Sequence, residues 1–280
     1  MLFISSPLHS LRKTKFFRFL LKTKLNEPKL FNIGFDHKVA LKPLTHASIL
    51  FAKNKQEPKI RSLIIKICRE LKRKYQDICF LDVGANVGIY TWEVHKICPE
   101  IKIFSFEPDP MNLELLDFTV ESNDLNSIKI FPYALSNQSK ETDFMQDELT
   151  SATGTLSTET TPWIEQYLNG KSKKISIETK TMDDLIGNKS HPKLVKIDVE
   201  GHEYEVIQGG LNTIKKQKPL LIFESFPPVR DKTLKILTEL GYHLYDADTL
   251  SLVDKGTYNF FAWHQDGPIK KHRIREFIDL

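Results

Sequence analysis

The chain has 280 residues, which is enough to bury a large core without disulfide bonds. Its hydrophobic fraction of 40% and its charged fraction of 27% are typical of a soluble globular protein. The net charge of +4 does not by itself indicate nucleic-acid binding, because that function needs a clustered basic face. No apolar run approaches the roughly 18–20 residues of a membrane span. The three cysteines show no CxxC or Cys/His metal spacing, so we expect free thiols and a cytoplasmic location.

Residues 1–58 form a basic N-terminal accessory segment. The basic residues of its first half are opposed only by Glu27, and they are Arg12, Lys13, Lys15, Arg18, Lys22, Lys24 and Lys29. Apolar residues lie among them between Phe16 and Leu21. Residues 10–30 therefore suit either peripheral contact with an anionic membrane surface or an ordinary N-terminal helix packed on the domain. The apolar residues are bunched and not at helical spacing, which favours the packed helix.

Downstream of this segment, helical and strand patterns alternate. Apolar residues at helical spacing predict a helix over 59–75. The elements predicted after it are a strand at 79–83, a helix at 89–98, a strand at 101–106, a helix that begins after Asp109 and a strand at 128–133. Strands that alternate with helices imply a parallel sheet with helices on its faces.

The alternation pauses over about 136–180, a stretch rich in Ser, Thr, Asp and Glu. A short helix at 161–170 and a strand at 175–177 are predicted there, and we interpret the stretch as an insertion beside the predicted site. The pattern then resumes with strands at 194–197 and 219–223, a helix near 229–240, and a closing pair of strands at 242–245 and 258–264. We expect one Rossmann-like domain over 59–280.

The strand at 79–83 leads directly into a glycine-containing turn that opens a helix. Its spacing is Gly84-x-Asn86-x-Gly88, whereas a dinucleotide fold needs GxGxxG to seat a pyrophosphate. Asp82 lies two positions before the first glycine. A carboxylate there is poorly placed for a pyrophosphate and well placed for a ligand with an ammonium group, such as the methionine part of S-adenosylmethionine.

Glu107 ends the second predicted strand. An acidic side chain at this place can accept hydrogen bonds from both hydroxyls of an adenosine ribose, as in NAD enzymes. Glu107 alone therefore does not distinguish the two cofactors. Together with Asp82, Gly84 and Gly88 it favours S-adenosylmethionine.

Three motifs in this order resemble the FkbM-type methyltransferases. They are residues 81–88 (LDVGANVG), 106–108 (FEP) and 195–203 (VKIDVEGHE), and the likeness covers about 78–264. The resemblance implies a class I methyltransferase fold, an α/β Rossmann-like domain whose seven-stranded, mostly parallel sheet has helices on both faces and an antiparallel last strand. It also implies S-adenosylmethionine as cofactor and O-methylation of sugars or of polyketide- and lipid-linked products.

The same resemblance assigns roles to individual positions. The residues expected to line the methionine part are Asp82, Gly84, Asn86 and Gly88. Glu107 is expected at the ribose. The residues expected near adenine are Asn123, Ala134 and Leu135.

Acidic residues follow the fourth and fifth strands of the domain. Asp198 ends the fourth strand, Glu200 follows it, and Glu224 ends the fifth. A base at this edge would help a weakly nucleophilic sugar hydroxyl to accept a methyl group, and Asp198 is the first candidate. The three carboxylates also suit Mg²⁺ or Ca²⁺, but spacing alone does not define an oxygen-ligand site, so we predict no metal. Glu200 can instead be an acid that stabilises a helix N-terminus.

The leading hypothesis is a methyltransferase that acts on a hydroxyl of a saccharide or a related biosynthetic intermediate, with a small-molecule or glycan acceptor. An RNA or protein methyltransferase would need a contiguous basic surface, and Lys171, Lys173 and Lys174 are the nearest cluster, so no nucleic-acid partner is expected. An NAD(P)-dependent oxidoreductase and a non-catalytic cofactor-binding domain remain as alternatives of another class. No sequence feature indicates an oligomeric state.

Overall fold

The computed structural model describes residues 7–52, 56–157, 163–168, 170, 172–186 and 190–278. Its helices are α1 (Pro7–Arg12), α2 (Lys15–Leu20), α3 (Ala47–Ala52), α4 (Pro58–Lys74), α5 (Ile89–Ile97), α6 (Pro110–Ser122), α7 (Trp163–Tyr167), α8 (Met182–Leu185), α9 (Glu203–Gly209), α10 (Leu211–Gln217), α11 (Val229–Glu239) and α12 (Lys271–Ile278). A short 3-10 helix covers Lys24–Asn26. None of the helices in these ranges has the length and hydrophobicity that a membrane crossing requires.

The strands fall into three sheets. They are β1 (Lys29–Phe31), β2 (Val39–Leu41), β3 (Cys79–Val83), β4 (Lys102–Phe106), β5 (Ile128–Phe131), β6 (Ala134–Leu135), β7 (Lys140–Gln146), β8 (Lys173–Lys180), β9 (Pro192–Ile197), β10 (Leu220–Glu224), β11 (Tyr242–Asp246) and β12 (Asn259–His264). The central sheet has seven strands in the order β11-β12-β10-β9-β3-β4-β5. Only β12 runs antiparallel to its neighbours β10 and β11, while the pairs from β10 to β5 are parallel. The predicted fold class is confirmed, including the antiparallel last strand.

Alternating side chains of the central strands build a core on each face of the sheet. Phe80 packs with the apolar stripe of α4, while its neighbour Leu81 packs on the opposite face with α9 residues such as Val206. Successive residues of a strand point to opposite faces, so a strand buried on both sides reads as a continuous apolar run. This explains why the short run from Cys79 to Val83 is buried throughout.

The insertion carries a small sheet of its own, in the order β6-β8-β7. The strand predicted at 175–177 lies inside the longer β8, and β7 was not predicted. The helix predicted at 161–170 corresponds to α7, although residues 161, 162 and 169 lie outside the described residues. Because β6 follows the terminal strand β5 directly, this small sheet begins at the carboxyl end of β5.

The N-terminal segment shares the main core. Leu41 and its strand neighbours are fully buried and belong to the same cluster as Ile60 of α4. The backbone N–H of Ala40 donates to Oγ1 of Thr119 on α6 at 2.9 Å. Residues 29–52 therefore pack on the domain as part of it.

Candidate active site

A glycine-containing turn joins β3 to α5 and brings two strand ends into contact. Gly84 has a φ of +78° in this turn, a backbone conformation that strains residues with a side chain. A Cβ atom at this position would lie 1.9 Å from the carbonyl oxygen of Asp198, which follows β9. Glycine at position 84 therefore permits the close approach of β3 and β9 and places the turn directly beside Asp198.

The remainder of the turn is fixed against β4 and α5. The backbone N–H of Asn86 donates to Oε2 of Glu107 at 2.7 Å. Gly88 has a φ of +84°, and a Cβ atom there would lie 2.5 Å from the ring of Trp92. The backbone of the turn thus lies beside Glu107, at the carboxyl ends of β3 and β4.

The carboxyl group of Glu107 is held by three donors at the end of β4. Besides Asn86, the backbone N–H of Asp109 donates to Oε1 at 2.9 Å, and the side-chain amide of Asn112 lies 3.5 Å from the same oxygen. Glu107 is 5% exposed, and burial raises its pKa to about 7 although these donors act in the opposite direction. The carboxyl group is therefore oriented in advance, and Oε2, which accepts from Asn86 alone among these donors, keeps capacity for another donor.

A cleft runs along this edge of the sheet. It holds about 560 Å³ of space, which includes open solvent at its mouth. Its lining includes Gly84 after β3, together with Asp198 after β9 and Glu107 after β4, the two strands that flank β3. The expected site residues that line it are Gly84, Asn86, Glu107, Ala134, Leu135, Asp198 and Glu200. The apolar part of the lining includes Ala134, Leu135, Phe144 and Leu156.

A loop of the insertion closes over the cleft. The carbonyl oxygen of Ser151 accepts hydrogen bonds from the side-chain amides of Asn86 and Asn112, each at 3.0 Å. The Ser151 hydroxyl donates to Oδ1 of Asn112 at 2.7 Å. Asp147 holds the loop in shape by accepting from the backbone N–H groups of Leu149 and Thr150. The insertion thereby supplies part of the wall.

Asp82 does not line the cleft. Its Oδ2 accepts hydrogen bonds from the backbone N–H and from the hydroxyl of Thr91, at 3.0 and 2.6 Å. The side chain is 1% exposed, and burial raises its pKa to about 6. The structure therefore shows Asp82 bound to the first turn of α5, where it fixes the helix behind the glycine turn.

Asn123 is placed differently from the expectation that it lies near adenine. Its side-chain amide donates to the carbonyl oxygens of Lys38 and Thr119. The N-cap of α6 is Asp109, which borders the cleft, whereas Asn123 caps the other end of this 13-residue helix. At about 1.5 Å per residue the two ends are roughly 20 Å apart, so Asn123 is removed from the cleft.

A buried lysine lies beneath Asp198. The Nζ atom of Lys196 donates to Oδ2 of Asp198 at 3.0 Å and lies 5.0 Å from the ring centroid of Tyr90. The Tyr90 hydroxyl donates to Glu57 at the start of α4. Burial opposes the charge of Lys196, but Asp198, Glu57 and Glu224 outweigh it and raise the pKa of Lys196. The ammonium group is therefore the centre of a cluster of carboxyl groups.

The other carboxyl groups of the cluster favour their protonated forms. Burial and the neighbouring Asp198 raise the pKa of Glu224 to about 8, although Lys196 acts against this shift. Burial and Asp198 also raise the pKa of Glu200 well above its ordinary value. A carboxyl group disfavours the ionisation of another one close to it, which is the direction of both shifts. Glu224 does not border the cleft itself.

The alternative of a divalent-metal site formed by these acids finds no support. Among the described residues, no group of three or more His, Cys, Asp or Glu side chains is arranged to hold a metal ion. The positive charge in the cluster is that of the Lys196 ammonium group, which contacts Asp198 directly.

Sequence reasoning missed three residues of this site. Lys196 interrupts an otherwise apolar buried strand, and two residues along a strand share a face, so its contact with Asp198 was open to prediction. Asn112 lies in the first turn of α6, close to the predicted Asp109 cap. Ser151 carries no comparable signal, because it reaches its partners across 65 and 39 residues of chain.

Two methyltransferases have sequences similar to about half of this chain. The hexuronic acid methyltransferase AglP of Haloferax volcanii is 30% identical over 150 residues, which cover 52% of this chain and 55% of that protein. The 2-O-methyltransferase NoeI of Sinorhizobium fredii is 25% identical over 150 residues, which cover 51% of this chain and 61% of that protein. The chain thus spans only between about half and two thirds of the length of these relatives.

A solved structure and a family model complete the comparison. The crystal structure of methyltransferase FkbM from Methylobacillus flagellatus aligns with a TM-score of 0.46 at 15% identity, over 67% of this chain and 44% of that one. The sequence model of the methyltransferase FkbM domain matches residues 82–244, which is more than half of the chain and includes the glycine turn, Glu107, Lys196 and Asp198. The chain belongs to the FkbM methyltransferase family.

Proposed function

We propose that this protein transfers the methyl group of S-adenosylmethionine to a hydroxyl of a saccharide or a related biosynthetic intermediate. The main support is the lining of the cleft, in which Glu107 follows β4 and Asp198 follows β9, on either side of β3. The first suits a nucleoside ribose and the second suits a hydroxyl group that loses a proton.

The residues of the cleft fit the parts of the cofactor. Oε2 of Glu107 has unused acceptor capacity for a ribose hydroxyl. The apolar side chains of Leu135 and Phe144 suit an adenine ring. Gly84 and Asn86 bring backbone groups to the end where the methionine part would lie, beside Asp198. S-adenosylmethionine supplies an activated methyl group there, so the protein has mainly to position the acceptor.

Proton removal is the chemical task left to the chain. The acceptor oxygen forms a bond to the methyl carbon while the bond from that carbon to sulfur breaks, and the hydroxyl proton passes to a base. Asp198 borders the cleft and is positioned by Lys196, so it is the carboxylate that we assign to this role. Glu200 also borders the cleft and is held by a bond from the Thr155 hydroxyl to its backbone oxygen, which suits contact with a second acceptor hydroxyl.

The acceptor class rests on the relatives. AglP is named for methylating a hexuronic acid and NoeI for 2-O-methylation, and each matches about half of this chain. A saccharide hydroxyl is the simplest acceptor that agrees with both names. The described cysteines are free and buried, which supports the expected cytoplasmic location.

The first test is a calorimetric titration of the purified protein with S-adenosylmethionine, with NAD as the control ligand. We expect saturable binding of S-adenosylmethionine alone, weakened at least about tenfold in Glu107→Ala because a charge-assisted hydrogen bond is lost. Glu114→Ala is the matched control, since Glu114 is an exposed acid on α6 paired with Lys42. Binding of NAD, or equal binding by Glu107→Ala, would contradict the assignment of the cleft.

The second test concerns the acceptor. Isotope-labelled methyl transfer is measured against a panel of nucleotide sugars, oligosaccharides, RNA and protein. Labelling of saccharides at oxygen supports the proposal, whereas labelling of RNA or protein alone replaces the proposed acceptor class while leaving the cofactor assignment intact.

A further inference from the structure

The N-terminal segment exposes a group of large apolar side chains. Phe16 and Phe19 of α2 are each 65% exposed, and Leu11 and Leu25 on either side of the helix are 46% and 58% exposed. Single exposed apolar residues are ordinary on a protein surface, but a concentration of them marks an interaction site. We call residues 11–25 the basic-aromatic surface.

The segment that carries these exposed side chains is itself fixed to the rest of the protein. The ring of Phe17, between the two exposed phenylalanines, is 2% exposed. The Arg12 guanidinium donates to the carbonyl oxygen of Thr45 at 2.8 Å. The Asn26 side chain accepts from the backbone N–H groups of Leu44 and Thr45. The predicted packing of a helix on the domain thus holds for one side of the segment, while its other side stays in solvent.

The geometry of α2 places the two exposed rings together. Phe16 and Phe19 are three residues apart, so they are neighbours on the helix surface. Thr14 caps the helix by accepting from the backbone N–H of Phe17 at 3.1 Å. The rings therefore project from a fixed helical turn.

Exposed lysines surround these rings. Four of them have no ion-pair partner within the described ranges, and they are Lys13, Lys15, Lys22 and Lys24. The only acid near them in sequence is Glu27. These four lysines therefore give the basic-aromatic surface an excess of exposed positive charge.

We infer that the basic-aromatic surface docks on an anionic lipid bilayer. Phenylalanine and leucine side chains that enter the headgroup region, with lysines directed at anionic headgroups, are the recognition chemistry of interfacial helices. RNA is the other polyanion to weigh, because aromatic rings stack on bases. The two exposed leucines favour lipid, since an aliphatic side chain gains by entering the acyl region and offers no stacking surface.

The surface lies beside the cleft. Leu21, which follows α2, packs against Leu149 and Leu168 of the insertion. Leu149 belongs to the loop whose Ser151 and Ala152 line the cleft. A docked bilayer would therefore lie close to the loop that closes the cleft. The docking is independent of the proposed function, because it requires neither the cofactor nor methyl transfer.

The test is sedimentation of the full chain with phosphatidylcholine vesicles that contain or lack phosphatidylserine. We expect binding only to the anionic vesicles. The double variant Phe16→Ser, Phe19→Ser removes the rings, and the double variant Lys13→Gln, Lys15→Gln removes two charges. Because each basic residue near an anionic surface changes affinity about fivefold, the lysine variant should bind at least about tenfold more weakly.

Controls separate the surface from general effects. Leu252→Ser removes a side chain that is 79% exposed in the distant loop before β12, and Lys255→Gln removes an exposed charge from the same loop. Both should bind vesicles like the unaltered protein, and circular dichroism checks that every variant is folded. Since the substituted side chains are exposed, loss of folding is not expected.

Three results would overturn the inference. The first is absence of binding to anionic vesicles by the folded protein. The second is binding that the phenylalanine and lysine variants leave unchanged. The third is a phenylalanine-dependent dimer in size-exclusion chromatography, or salt-sensitive binding of a single-stranded RNA oligonucleotide, without vesicle binding.

Discussion

The Nζ atom of Lys196 lies 3.0 Å from Oδ2 of Asp198, at the point where β9 reaches the cleft. The lysine side chain is 1% exposed and the aspartate side chain is 25% exposed. Two residues apart on a strand, both point to the same side of the sheet. The Asp198 carboxylate therefore reaches the cleft, and the Lys196 ammonium group that holds it is buried beneath it. This arrangement suits a base that must accept a proton without moving.

Replacement of Asp198 by asparagine tests the base. Asp198→Asn keeps an oxygen that accepts from Lys196 but loses the capacity to take a proton. We expect the kcat for the labelled acceptor to fall by about 10²–10⁴-fold, the usual contribution of a general base. The Kd for S-adenosylmethionine should change by less than about threefold, as calorimetry would measure. Asp231→Asn is the control, because Asp231 is an exposed acid on α11. An unchanged kcat would exclude Asp198 as the base.

Replacement of Lys196 by methionine tests the counter-charge. Lys196→Met keeps much of the volume, but it leaves the cluster of carboxyl groups without its cation. We expect the free energy of unfolding to fall by about 1–3 kcal/mol, less than for a fully buried pair because Asp198 is partly exposed.

A surface pair of the same separation provides the control for Lys196. Lys102 and Asp77 also lie 3.0 Å apart, but both side chains are more than half exposed. Exposed pairs contribute at most about 1 kcal/mol, so Lys102→Met should be nearly neutral in urea unfolding. Equal effects of the two substitutions would show that the buried position of Lys196 is unimportant.

The features that the sequence predicted correctly depend on local patterns. The strand, turn and helix around Gly84 follow from a short apolar run and two glycines, and the carboxyl ends of parallel strands necessarily meet at one edge. That rule brings Glu107 and Asp198 to one cleft from separate motifs. Lys196 lies within the motif at 195–203. Its contact with Asp198 could be predicted only by applying the alternation of strand side chains to a polar residue.

The features that were missed depend on distant parts of the chain. The strand β7 has a polar sequence, and seven residue pairs with β8 define it, across about thirty residues of intervening chain. Ser151 meets Asn86 and Asn112 only because the insertion folds back over the edge of the sheet. The family resemblance assigned Asn123 to the adenine, although the length of α6 carries this residue away from the cleft.

The affinity for S-adenosylmethionine should depend on the protonation of Glu107. Burial raises the pKa of this group to about 7 in the free protein. Ribose hydroxyls donate to the ionised carboxylate and stabilise it, so binding releases a proton near this pH. We expect the affinity to rise as the pH increases through about 7, in calorimetry with buffers of different ionisation enthalpy. Glu107→Gln should bind more weakly and without this dependence, and a variant that retained it would show that another group titrates.

The contact between Gly84 and Asp198 should be intolerant of a methyl group. Gly84→Ala combines a φ of +78° with a Cβ atom 1.9 Å from a backbone oxygen, which cannot move without shifting β9. Gly34→Ala is the matched control, since Gly34 has a φ of +104° but no atom within 4 Å of the added Cβ. The control measures the backbone strain alone, about 1–3 kcal/mol. Gly84→Ala should cost clearly more in urea unfolding, and equal costs would mean that the strands separate easily.

Glu203 should make the stability of the fold depend on pH. It is 1% exposed at the start of α9, where it accepts from the backbone N–H of Gly201 and from the Ser225 hydroxyl, and burial raises its pKa to about 7. Because the folded pKa lies above the unfolded value of 4.5, its contribution is complete below about pH 4.5 and is lost as the pH rises through about 7.

The size of this loss is at most about 3 kcal/mol, from 1.36 kcal/mol for each pKa unit. Glu203→Gln retains the shape of the protonated acid and cannot ionise. We therefore expect its free energy of unfolding to fall less than that of the unaltered protein between about pH 5 and about pH 8, as urea titrations at both values would measure. Glu239→Gln, at an exposed acid of α11, should leave the slope unchanged. If Glu203→Gln also leaves the slope unchanged, Glu203 does not take up a proton on folding.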